Sequence, residues 1–94
     1  MIELRNTFSN CSGEYLEFQH IENPKHRRRD IAAFLLLDEL VPNEGYPIVS
    51  AAGHDVVWLD TDIEKLAEVA TEEDILYLYR CGVRLSEDCL EMFA

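Results

Sequence analysis

Two groups of side chains in this 94-residue chain have the types and spacing to do chemistry. The first is a run of carboxylates, Asp60, Asp62, Glu64, Glu68, Glu72, Glu73 and Asp74, with Lys65 as the only cation among them. Glu64 and Glu68 stand four residues apart, so on a helix their carboxylates share a face at roughly 6 Å, an arrangement that costs stability. Such a row on a rigid helix can stand in for a phosphate backbone and fill a basic groove on a partner. It can equally be a solvated face whose acids cap helices and confer solubility. The second group is Lys25-His26-Arg27-Arg28-Arg29, which holds half of the eight Lys and Arg residues. Three roles fit it: pairing inside the molecule (Arg27 with Asp30, others with acidic strands), contact with an acidic protein or a nucleic-acid phosphate, or a nuclear-import signal.

Enzymatic constellations are harder to assemble. Cys11, His20 and His26 read as Cys-x8-His-x5-His, but no fourth ligand has natural spacing, and His20 falls on the apolar face of an expected strand as a core histidine. His54-Asp55 resembles the paired ligands of metal-dependent hydrolases, which need more histidines than the three present. Ser9, Ser12, Ser50 and Ser86 lie outside any G-x-S-x-G elbow. Cys81 sits at a helix C-terminus, where the dipole raises a thiol pKa. The four glycines form no phosphate loop. Asp60 and Asp62 could pair as carboxylates but read first as residues that introduce a helix. The expectation is a non-enzymatic protein with no metal and no cofactor. Tyr77, beside the acidic run, is either an exposed interface anchor or an ordinary half-buried tyrosine. Tyr79 and Trp58 read as core.

Bulk charge points the same way. Nineteen acidic residues against eight basic give a net charge of −11, of which residues 55–94 carry −8. Nucleic acid and anionic membranes are repelled over most of such a surface. An apolar share of 48% with 10% aromatics is a folding composition and argues against disorder. The longest apolar run, Ile31 to Leu37, is far short of a membrane span. The N-terminus lacks a basic-then-apolar secretory pattern. Cys11, Cys81 and Cys89 have no C-x-x-C spacing and read as free thiols in a reducing cytoplasm.

The elements that must position these groups read as one α+β domain over residues 1–94. Ile2, Leu4, Asn6 and Phe8 alternate with other residues as in a strand. A turn at Asn10–Gly13 and the face Leu16, Phe18, His20 complete an expected N-terminal hairpin. Asn23-Pro24 opens a central helix that runs to about Val41, where Pro42 stops it; little of its middle is polar, so a second layer could cover it. Tyr46–Ala52 and Asp55–Leu59 form a second hairpin, with Gly53-His54 as a type II′ turn. Two helices follow: one opened by a capping box over Thr61–Glu64, one by Thr71 with Asp74 and ended by a left-handed Gly82. Ser86–Ala94 is either a short helix or an edge strand. The whole is two hairpins in a small antiparallel sheet, packed on a central helix with a C-terminal helical pair.

In size, acidity and lack of a catalytic constellation the chain resembles small phage-encoded inhibitors of host machinery, including anti-CRISPR and other DNA-mimic proteins. The likeness rests on bulk properties and covers no motif. It implies a partner that is basic and handles nucleic acid, bound through Asp60–Asp74 with help from Glu87, Asp88 and Glu91. An immunity protein or antitoxin that caps a basic toxin fits the same features. So does, from a different class, a regulatory nucleic-acid binder using Lys25, Arg27, Arg28 and Arg29. Either a monomer or a homodimer is compatible, since hairpin edges and the apolar Leu90, Met92 and Phe93 could pair.

Overall fold

Over residues 2–11 two periods compete, and the helical one prevails. Leu4, Thr7, Phe8 and Cys11, spaced i, i+3, i+4 and i+7, are all buried in a computed structural model that describes residues 2–11, 13–42, 47–53, 55–86 and 89–93. The first three line helix α1 (Leu4–Ser9), with Cys11 just beyond its end, and its N-terminus is capped by Glu3 accepting the Asn6 N–H at 2.6 Å. The expected N-terminal hairpin is therefore absent. Its second half bends through Leu16 at a φ of 63° and a 3-10 turn at Phe18–His20. The Leu16 N–H donates to the Tyr79 carbonyl at 3.3 Å, so this segment is fastened to a distant helix rather than to a neighbouring strand.

The central helix α2 (Arg29–Leu40) starts later than Asn23-Pro24 suggests. Asn23 takes a left-handed φ of 50°, and the chain reaches the helix through non-helical residues up to Arg28. Ala32, Ala33, Leu36 and Leu37 form its buried stripe, while Leu35 is 41% exposed, so among the described residues no second layer covers its far side. Strands β1 (Val49–Ala52) and β2 (Val56–Leu59) form the expected antiparallel hairpin. In its turn the positive φ falls on Asp55 (71°), not on Gly53, and the Gly53 N–H donates to the Val56 carbonyl at 2.7 Å. Gly53 is small for another reason: a Cβ there would meet the Trp58 ring at 3.0 Å. His54 lies outside the described residues.

Helices α3 (Ile63–Val69) and α4 (Glu72–Arg80) are the expected pair, followed by β3 (Val83–Ser86) and β4 (Cys89–Phe93). The sheet order is β1-β2-β4-β3, antiparallel throughout, so the fold is α+β with two hairpins, the second C-terminal rather than N-terminal. Residues 89–93 are neither a helix nor an edge: β4 is an inner strand, flanked on both sides. Its alternation explains why. Leu90 and Met92 are buried against Leu59, Val57, Leu85 and Val83 across the ladders. The row Trp58–Glu91–Arg84 lies on the opposite, outward face, so Trp58 is half-buried there rather than in the core.

The helices and the sheet meet at the end of α4. Gly82 has a φ of 100°, the left-handed residue that closes a helix, and its carbonyl accepts from the Tyr15 hydroxyl at 2.9 Å and the Phe93 N–H at 3.1 Å. Arg29, the first residue of α2, donates through Nη1 to the carbonyls of Cys81 (3.1 Å) and Phe93 (2.8 Å). A Cβ on Gly82 would lie 2.7 Å from Arg29 Nη1 and from Leu16 Cδ2. Gly82→Ala is therefore expected to destabilise the fold by about 2 kcal/mol or more. Arg29→Met should cost about 2–3 kcal/mol through its lost charge-assisted hydrogen bonds. Urea unfolding midpoints check both; a midpoint for either variant equal to wild type contradicts this packing.

Candidate partner-binding surface

The acidic run divides by role. Asp62, not Thr61, caps α3, accepting the Glu64 and Lys65 N–H groups at 3.1 and 3.2 Å. Asp74 completes a capping box with Thr71, accepting the Thr71 N–H at 2.9 Å while its own N–H donates to Thr71 Oγ1 at 3.2 Å. Asp60 follows β2 and donates its backbone N–H to the Ile48 carbonyl at 2.7 Å. Glu64, Glu68, Glu72 and Glu73 are exposed on α3 and α4 and form no ion pair among the described residues. Glu72 and Glu73 occupy the first turn of α4, where the helix dipole favours them. Glu64 likewise stands in the first turn of α3, but Glu68, in its last turn, has no such compensation, and Lys65 between them is itself exposed without an ion pair among the described residues. Val69, 50% exposed, adds an apolar spot next to Glu68.

Other residues assigned to this surface from sequence are engaged elsewhere. Tyr77 is half-buried and its hydroxyl accepts the Lys25 N–H at 2.8 Å, which removes it as a free anchor. Glu91 faces Arg84 across β3 and β4 at 2.5 Å with its side chain 12% exposed, away from the acidic helices. Glu87 and Asp88 lie outside the described residues.

The basic cluster is largely consumed inside the molecule. Lys25 Nζ reaches Glu39 at 2.7 Å, and Arg28 Nε lies 3.6 Å from Asp30, taking the partner expected for Arg27. Arg29 is spent on the two carbonyls at the end of α4 and β4. Arg27 is exposed with no ion pair among the described residues. Because α2 starts only at Arg29, the other cations precede the helix and do not oppose its dipole from within.

The residues considered for metal or nucleophilic chemistry are not gathered. His20 is exposed, 3.3 Å from Glu14 and 3.8 Å from Glu17, not a core histidine. His26 accepts the Arg28 N–H at Nδ1. No group of three or more His, Cys, Asp or Glu residues that could hold a metal ion occurs among the described residues. Arg80, 2.5 Å from Glu14, holds that carboxyl below the usual carboxylate range, with His20 adding to the effect. Burial pushes the Cys81 thiol up to about 12 against the opposing pull of Arg29, and burial also raises Cys11. The three cysteines are free thiols. No helix among the described residues is long and apolar enough to cross a membrane.

No known protein family, curated protein or solved structure matches this chain. One feature of the surface is invisible to motif reading: a cleft where α1, α4 and β3 meet, lined by Arg5, Phe8, Tyr15, Tyr79 and Arg84. Its members are up to 79 positions apart in the chain, and no local pattern links them.

The division of the acids is testable by stability. Asp62→Ala should cost about 1 kcal/mol through its lost cap. Glu68→Gln should be neutral or stabilising by a few tenths of a kcal/mol as the like-charge pair is relieved, and Glu64→Gln, which also gives up its charge at the helix N-terminus, should change stability by no more than about half a kcal/mol. A destabilisation by either glutamine equal to that of the cap would mean that these acids hold the fold. In the native protein a thiol reagent should modify half-buried Cys89 first, and Cys11 and Cys81 only on unfolding. Rapid labelling of Cys81 would contradict its burial.

Proposed function

We propose that this is a small, acidic, non-enzymatic binding protein that occupies a basic, nucleic-acid-binding surface on a partner protein. In this reading it acts in the cytoplasm as a phage-type inhibitor of host machinery, of the anti-CRISPR or DNA-mimic kind. The observation that carries the reading is the contrast between two charge populations. Glu64, Glu68, Glu72 and Glu73 stand exposed and without ion pairs among the described residues. Lys25, Arg28, Arg80 and Arg84 are held by carboxylates, and Arg29 by carbonyls.

Like charges four apart on a helix cost stability unless a partner compensates them. A Lys/Arg-lined groove does so, and it gains by releasing the nucleic acid's place to a rigid, pre-formed set of carboxylates. Electrostatic attraction of this kind speeds encounter at low salt and weakens as salt rises. An immunity protein that caps a basic nuclease toxin would use the same surface by the same physics. The nucleic-acid-binding alternative has less to work with, because Lys25, Arg28 and Arg29 already have partners within the chain.

The test compares two variants of the tagged protein in affinity capture from host lysate, with elution by salt and by duplex DNA. One carries Glu64, Glu68, Glu72 and Glu73 all changed to Gln; the other carries Arg27→Gln and Arg28→Gln. The expected result is a basic, nucleic-acid-handling protein that is displaced by duplex DNA, retained by the arginine variant and lost by the glutamate variant. Capture that survives the glutamate changes would overturn the reading. So would recovery of nucleic acid that depends on Arg27 and Arg28.

A further inference from the structure

Cations are scarce in this chain, so the place where one is left unpaired is informative. Among the described residues Arg5, Arg27 and Lys65 have neither an ion pair nor, as Arg29 has, backbone carbonyls to hold them, and of these three Arg5 lines a cavity. That cavity is a cleft of about 400 Å³ between α1, α4 and β3, within the size range of small-molecule sites. The rim carries the exposed side chains of Arg5 and Arg84 and the hydroxyl of Ser9; the deeper wall is aromatic. The Tyr79 ring stands edge-on to Phe8 at 6.2 Å between centroids and tilted against Tyr15 at 5.0 Å.

The wall is held in place before any ligand arrives. Phe8 is part of the core, and the Tyr15 hydroxyl is tied to the Gly82 carbonyl at 2.9 Å. Three polar functions remain available. Arg84 uses Nε on Glu91, leaving its Nη groups without a partner among the described residues. The Tyr79 and Ser9 hydroxyls likewise make no hydrogen bond among the described residues. Guanidinium groups offer planar, bidentate donors to carboxylate or phosphate, and aromatic side chains offer a face or edge to a flat ring. The surrounding net charge of −11 selects for size: an extended polyanion is repelled, whereas a small anion meets mainly the local guanidinium groups.

We propose that this cleft binds a small organic anion made of a flat ring with an attached phosphate or carboxylate, of about the size of a mononucleotide. The site is separate from the acidic surface and does not depend on the partner-binding role. Its ligand is recognised by the ring lying against Tyr15, Tyr79 and Phe8 and the anion between Arg5 and Arg84.

The experiment is a ¹H–¹⁵N NMR titration of the full chain, paired with calorimetry, using adenosine 5′-monophosphate and 4-hydroxybenzoate as separate probes and inorganic phosphate as the ring-free control. At least one ring probe should give saturable shifts confined to Arg5, Phe8, Tyr15, Tyr79, Arg84 and their neighbours, with a Kd of about 1 mM or tighter. Binding of the nucleotide alone identifies a phosphate ligand, and binding of the benzoate alone a carboxylate. Arg5→Gln, at an exposed position, should keep the wild-type Tm and weaken binding by about tenfold or more, while Arg27→Gln leaves it unchanged. The proposal is overturned if neither ring probe saturates, if inorganic phosphate binds as tightly as the ring probes, or if Arg5→Gln, folded as wild type, binds as well as the parent.

Discussion

Where α4 ends, its last carbonyls have no helical partner, and the fold converges on satisfying them. Gly82 turns the chain through a left-handed conformation into β3, and the Arg29 guanidinium reaches in from the start of α2 to take the Cys81 carbonyl. The same nitrogen takes the Phe93 carbonyl at the end of β4, with the Phe93 ring 6.0 Å from the guanidinium carbon. Tyr15 and Leu16 close the corner from the N-terminal segment. One cation thus ties together the central helix, the C-terminal helix and an inner strand of the sheet. A charged donor suits this place because hydrogen bonds from a guanidinium to carbonyls are stronger than neutral ones.

That use of Arg29 has consequences for the surface. The chain carries few cations, and those that secure the interior or hold an individual carboxylate are withdrawn from the surface field. The carboxylates they do not hold are concentrated on α3 and α4. Asp62 and Asp74 offset part of that concentration by capping their helices, and Glu72 and Glu73 by standing at a helix N-terminus. Glu64 gains in the same way in the first turn of α3, which leaves Glu68 with the repulsion and no structural return. The two surfaces share no residue: the arginine-bearing cleft is built on α1, the end of α4 and β3, while the exposed glutamates belong to α3 and the start of α4.

Much of the fold was legible because it obeys local rules. The Thr71–Asp74 box, the left-handed Gly82, the β1–β2 hairpin and the α3–α4 pair all rest on interactions within a few residues. The misreadings occurred where two local patterns coexist. Residues 2–8 alternate like a strand, yet Leu4, Thr7, Phe8 and Cys11 also fit a helix, and burial beside α4 and β3 favoured the latter. Asn23-Pro24 has the chemistry of a helix start, but Lys25 is held by Tyr77 and Glu39, which keeps the chain out of helix until Arg29. The pattern at residues 86–94 fits either a short helix or an edge strand; being flanked by β2 and β3 made residues 89–93 an inner strand.

The candidate surface divides along the same line. By itself the sequence determined the net charge, its bias toward residues 55–94, the i, i+4 spacing of Glu64 and Glu68, and the α+β class, since composition and period need no knowledge of distant contacts. Tertiary structure decided which charges remain at the surface. Lys25 with Glu39, Arg29 with the Cys81 carbonyl, Arg80 with Glu14 and Tyr77 with the Lys25 N–H are contacts across 14 to 66 positions of the chain. Such pairings are chosen by the way helices and sheet pack, because a charge takes whichever partner the fold brings within hydrogen-bond reach.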